Sequence, residues 1–299
     1  MTRRGLMAGA AAAGLLAGSG LGWPRAQAQG RLYDALFRDL RMDSRALIRF
    51  GEELDRPLIA RAGGPYPNAY VQSALDDFAR PIFDASDATD LPWKVTLVDN
   101  DMPNAWVLPG GRVSVYKGLL RYVENADELA LVIAHAAGHV EAGDLLAVMR
   151  EPAFADSVPP RAARAILARL DRDETLTPAD SEIAQALQRP VLTAITGGYG
   201  PDREARADAA AARIFARTGH DPRRGAVLFE TMAGLAPPDA GAATCFFAGR
   251  DDAAARARTL ASAAMPARSS WPANTGFDTI KLAFPTRRYY RPQASGDAS

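Results

Sequence analysis

Apolar residues recur every three to four positions along most of the chain, the period of a helix with one buried face. Between Arg31 and Arg61 the stripe is Leu32, Leu36, Leu40, Leu47, Phe50 and Leu54; Pro57 is expected to end it early, and Gly63-Gly64-Pro65 breaks it. Asn68 then occupies a cap position for a second helix with Val71, Leu75, Phe78 and Ile82 inward, its length limited by Pro81. At Pro92 the period drops to two. Trp93, Val95 and Leu97 share one face of a strand and Lys94 and Thr96 the other, while Ala105 to Leu108 and Arg112 to Tyr116 read as two further strands turning through Pro109-Gly110-Gly111. The expectation is a small antiparallel meander that feeds, through Gly118, into a central helix.

That helix is read from Asn125 to Leu146, with Asn125 and Glu128 as a capping box and Leu129, Val132, Ile133 and Val140 facing a core. Five prolines punctuate residues 150–200, an insertion with short helices at Arg161 to Leu170 and Asp180 to Leu187, read as a partial lid. Helices follow from about Asp202 to Thr218, stopped by Gly219, then from Asp221-Pro222, and from Asp251 to Ala264. The pattern predicts an α+β, mainly α-helical chain. Residues 29–90 form a helical platform, 91–265 the main domain, and 266–299 an extended tail.

Composition narrows the choices. A chain of 299 residues that is 48% hydrophobic has core enough for one large domain or two small ones, and a formal net charge of zero leaves no basic field for nucleic acid. Arg3-Arg4, the apolar run Gly5 to Trp23 and Ala26-Gln27-Ala28 have the order of an export leader, residues 1–28, cut near Ala28. The paired arginines resemble a twin-arginine signal; an ordinary secretory leader is the other reading. Either implies a periplasmic or secreted protein. No other apolar run approaches the ~20 residues needed to cross a bilayer, so no stable span is expected in the mature chain. The lone cysteine, Cys245, excludes an internal disulfide.

The chemistry concentrates at His135-Ala136-Ala137-Gly138-His139. Histidines at i and i+4 project from one helix face and can share a metal ion. A catalytic zinc site wants a third protein ligand. His220 reads as part of a helix connection and Cys245 as a buried small residue, which leaves carboxylates, and Glu204 with Asp208 one turn on is the best pair. One carboxylate binds metal while the other accepts a hydrogen bond from an imidazole. A zinc protease helix reads H-E-x-x-H, its glutamate being the general base. Here that position is Ala136, and a methyl group moves no proton.

Several segments together resemble the CAAX prenyl protease/HtpX family of gluzincin zinc metallopeptidases, in its soluble secreted branch. They are Asn104-Ala105 with Leu108-Pro109-Gly110-Gly111, Val115 to Leu120 followed by Asp127-Glu128-Leu129-Ala130, His135 to Val140, Glu204-Ala205-Arg206-Ala207-Asp208, and Gly219-His220-Asp221-Pro222. The resemblance runs from about Pro92 to Leu260. It implies a zincin-like fold with one Zn2+ per chain on His135, His139 and Glu204, Asp208 orienting a histidine, and a cleft strand whose Asn104, Ala105 and Trp106 meet an extended or unfolded polypeptide. In that family zinc polarises the scissile carbonyl and activates water, and the helix glutamate relays the proton. The chain departs from the pattern at Ala136 and around Phe246 to Arg250, where relatives carry a T-H-P segment; Arg250 is the one positive charge on offer there. Two functions follow from the resemblance. One is an envelope metalloendopeptidase scaffold silenced at Ala136; the other is a natural pseudoprotease that binds peptides or assists assembly.

Overall fold

The computed structural model describes residue 31, residues 44–159, 161–164, 168 and 172, and residues 181–235, 250–263 and 276–286. Residues 1–28, Cys245 and the Phe246–Gly249 segment lie outside the described residues. Helix α1 spans Ser44–Ala62 and α2 Ala69–Asp84. Strands β1 (Lys94–Val98), β2 (Ala105–Leu108) and β3 (Arg112–Tyr116) lead into a short α3 (Lys117–Leu120). Then come α4 (Ala126–Ala142), α5 (Asp144–Met149), α6 (Pro152–Ser157), α7 (Ser181–Gly197), α8 (Pro201–Thr218), α9 (Pro222–Leu235), α10 (Arg250–Ala261) and α11 (Phe277–Ala283). The architecture is α+β and mainly helical.

Two prolines sit inside helices they were expected to shorten. Neither Pro57 nor Pro81 stops its helix, because the turns around them are anchored by fully buried Leu54, Leu58 and Ile82, and tertiary packing outweighs the lost hydrogen bond. Asn68 caps α2 through its side chain, as the sequence implied. The long central helix is divided. Gly143 adopts a left-handed conformation (φ 64°), ends α4 and starts α5. Residues Phe277–Ala283 of the expected extended tail are helical, and Lys281 Nζ donates to the carbonyls of Leu120 and Val123.

The sheet is mixed where an antiparallel meander was expected. Its order is β1-β3-β2, with β1 parallel and β2 antiparallel to β3. Chain alternation then sends side chains into two cores. Val95, Leu97, Ala105, Val107, Val113 and Val115 face α2 and α4, whereas Val98, Trp106, Leu108 and Tyr116 face α1, α5, α6 and α7. The platform helix α1 docks on the β2–β3 turn. A Cβ at Gly51 would lie 1.8 Å from the Pro109 carbonyl oxygen, so only glycine permits that approach.

The sheet's two edges are treated differently. On β1, the Gln72 side chain accepts from Leu97 N–H and donates to the Val95 carbonyl, and Tyr66 N–H donates to the Leu97 carbonyl. That edge is closed. On β2, Asn104 Oδ1 accepts from Ala105 N–H, but no group among the described residues takes up the outward backbone groups of Val107, and this edge borders the cleft.

Candidate metal centre

Helix α4 is positioned at both ends. Asn125 Oδ1 accepts from the N–H groups of Asp127 and Glu128, and the Glu128 carboxylate accepts in return from Glu124 N–H and the Asn125 amide. Helix α8 crosses it at very short range. A Cβ on Gly138 would lie 2.8 Å from Ala210 Cβ and 2.9 Å from Ala207 Cα. The glycine between the two histidines therefore lets the helices close, and their closing delivers Glu204 to the imidazoles.

His135, His139 and Glu204 are buried, and a set of their ligand atoms lies within 4.8 Å of one another. The two Nε2 atoms are 3.0 Å apart; His135 Nε2 is 3.3 Å from Glu204 Oε2, and His139 Nε2 is 3.8 Å from Glu204 Oε1. For metal–ligand bonds of the zinc length, a tetrahedral edge is about 3.3 Å. The tautomers fit as well. His135 Nδ1 faces Asp208 Oδ1 at 2.9 Å and His139 Nδ1 faces Asp144 Oδ2 at 2.8 Å. With both Nδ1–H groups donated to carboxylates, both Nε2 atoms present lone pairs to one another and to Glu204. Such a group of acceptors is repulsive unless a cation or an extra proton lies among them.

The electrostatics agree. Burial opposes ionisation of Glu204, but the hydrogen bond from His135 and the charges of His135, His139 and Arg256 outweigh it and hold the group at about 2. Burial likewise opposes the Asp208 carboxylate, and Arg256 and His135 hold it at about 2. His135 is raised, its burial outweighed by Asp208 and Glu204, whereas burial and the neighbouring His135 lower His139. The cluster is thus built around buried positive charge.

Three contributors escaped the sequence reading. Asp144 lies just past the Gly143 reversal; an acid following a helix stop next to a candidate ligand was the available signal. Arg256, on α10, reaches Asp208 through Nε at 2.7 Å and Nη2 at 2.9 Å, and no local pattern marks it among so many arginines. Tyr199 closes the cleft. Its ring lies 4.4 Å from that of His139, its N–H donates to Glu204 Oε1 at 3.3 Å, and its buried hydroxyl has no hydrogen-bond partner among the described residues.

The remaining expected residues are readily placed. Ala136 is 1% exposed and lines the cleft together with Ala105 and Trp106. Asn104 lies just outside the lining, where its side chain accepts from Ala105 N–H and its carbonyl from Tyr116 N–H. Trp106 Nε1 donates to the Tyr116 hydroxyl. Arg250 opens α10, but its side chain lies outside the described residues. His220 Nδ1 pairs with Asp127 Oδ1 at 2.9 Å and is not part of the cluster. The insertion's last helix, α7, continues through Pro190 and contributes Ile195 to the cleft, next to Gly198 and Tyr199. The cleft holds only about 20 Å³.

A model described as Peptidase family M48 matches residues 65–262. The chain is 30% identical over 166 residues to metalloprotease YcaL of Escherichia coli K12, covering 54% of this chain and 58% of that protein. It is 42% identical over 60 residues to the beta-barrel assembly-enhancing protease of Yersinia pestis, 20% of this chain and 12% of that one. Over 70 residues it is 41% identical to the mitochondrial metalloendopeptidase OMA1 of Schizosaccharomyces pombe, 23% and 20% of the two chains. The chain thus spans a fifth or less of two of these relatives. Among the described residues no helix is long and apolar enough to cross a membrane.

Proposed function

Because the chain belongs to peptidase family M48, we propose that it is a zinc-holding domain that grips extended polypeptide and barely hydrolyses it. His135, His139 and Glu204 would hold one zinc ion. When bound, that ion supplies a Lewis acid for a carbonyl and acidifies a water molecule. Asp208 and Asp144 fix the imidazole tautomers, Arg256 keeps Asp208 ionised, and the open edge of β2 offers backbone groups for pairing with an extended segment. The observation that carries the reading is the combination of a complete ligand cluster with a methyl group at 136. Among the described residues, the carboxylates at the cluster are already committed: Glu204 as ligand, Asp208 and Asp144 to the histidines. None is left to take a proton from water.

An exported site of action, in the periplasm or outside the cell, is supported by the leader-like residues 1–28. The likeness to relatives named as an assembly-enhancing protease and as YcaL supports envelope polypeptides as what it grips. Elemental analysis should find zinc that a chelator removes. Unfolded casein should be captured intact by the parent chain and released on Glu204→Ala. Ala136→Glu should then raise casein cleavage by roughly 10²–10⁴ in a chelator-sensitive way. Capture unaffected by Glu204→Ala, or rapid cleavage by the parent chain, would overturn the proposal.

A further inference from the structure

Beside the cleft lies a second, larger cavity of about 270 Å³. It shares Val107, His139 and Tyr199 with the metal cleft, so the two adjoin. Its other walls are aliphatic, chiefly Leu47 from α1, Leu91, Leu108 at the end of β2, and Leu145 and Leu146 from α5. His139 and Tyr199 are the titratable side chains among the lining residues; the His139 Nδ1 and Nε2 are turned to Asp144 and the cluster, which leaves no charged group on the walls. A charged group would lose its water here and meet no opposite charge, whereas an apolar group would lose nothing. An apolar cavity of ~150 Å³ is enough to take a benzene ring.

We propose that this cavity is the specificity pocket of the domain, receiving one large apolar side chain, phenylalanine or leucine, of a polypeptide paired with β2. The inference rests on the capture reading above and names its substrate class. The placement follows from the sheet order. Strand β2 is the outer strand, with Val107 unpaired on its outer side, and lines the metal cleft through Ala105 to Val107 and the cavity through Val107 and Leu108. A segment added there therefore runs along both, and alternate side chains of an extended segment point to one side. Helix α1, which carries no chemistry of its own, acquires a role: Gly51 brings it onto the Pro109 turn, and that contact places Leu47 in the pocket wall.

The test measures binding, not turnover. Short fluorescein-labelled host peptides of alanine, serine and threonine, with one guest position, are titrated against the zinc-loaded chain as it stands, with Ala136. Phenylalanine or leucine at the guest position should bind roughly 10-fold or more tighter than alanine, and aspartate no better than alanine. Leu146→Gln, on the half-buried outer wall, should abolish the guest preference while the alanine-guest peptide binds as before; Leu47→Gln, on a different helix, should do the same. Peptides that bind in a Glu204-dependent way but show no guest preference, or keep it in both variants, refute the pocket and leave the capture reading standing. If no peptide binds at all, the capture reading fails and the pocket with it.

Discussion

Substituting Gly138 by alanine tests whether helix proximity builds the metal centre. The added Cβ would lie 2.8 Å from Ala210 Cβ and 2.9 Å from Ala207 Cα, where ordinary contact begins near 3.4 Å, so α8 must withdraw by about 0.6 Å (3.4 − 2.8). Glu204 lies one turn before Ala207 on the same helix and moves with it. Metal–ligand distances hold to roughly ±0.2 Å, so the displacement exceeds what the cluster tolerates. Zinc affinity should fall by about 10–100-fold, the range seen when support of a ligand is lost. Two smaller effects act on stability with opposite signs. Alanine favours an isolated helix over glycine by up to ~1 kcal/mol, and overpacking costs about 1–3 kcal/mol, so Gly138→Ala should be mildly destabilised. Competition titration against a chelator reads the affinity, and chemical denaturation of the metal-free protein reads the stability. A variant with unchanged zinc affinity would refute the claim that this contact sets the ligand geometry.

Asp144→Asn removes the anionic partner of His139 and should weaken zinc binding roughly 10–100-fold with the fold retained, checked by the same titration and by circular dichroism. Tyr199→Phe deletes a buried hydroxyl without a hydrogen-bond partner and should raise stability by about 1 kcal/mol; a loss of stability would mean that the hydroxyl is satisfied. Burial raises the Glu128 carboxyl from 4.5 to about 7 despite the donors at Glu124 and Asn125. Between those two values the folded chain retains a proton that the unfolded chain has released. The stabilisation is therefore full below the lower value and is lost as the pH rises through the upper one. Denaturation of the metal-free protein should show a loss on the order of 3 kcal/mol across that window, and Glu128→Gln should remove this part of the slope.

Local signals carried much of the fold. The caps at Asn68 and Asn125, the stop at Gly219 and the inward faces of α2 and α4 are decided within a few residues, and the sequence displays them. Strand pairing is not local. Whether β1 lies beside β2 or crosses to β3 depends on Gln72 and Tyr66 closing one edge, contacts separated from β1 by some twenty to thirty positions. Pro57 and Pro81 misled for a related reason: the packing that holds their helices comes from other elements. Within the site, the histidine pair and Glu204 with Asp208 were visible as spacings on helices. Arg256 was not, because its partner lies 48 positions away. Gly138 stood in plain view as a glycine inside a helix, a feature that signals close backbone approach.

The outer margin of β2 belongs to a strand of four apolar residues and is closed only at Ala105 N–H, the kind of surface on which chains stick to copies of themselves. Ile195 and Tyr199, at the end of the 150–200 insertion, line the same cleft as that margin and the ligand cluster. Trimming the insertion to widen access for large substrates would uncover a ready template for clumping. Any shortened version of this protein therefore has to trade openness against solubility, and a lysine placed on β2 is the first remedy to try.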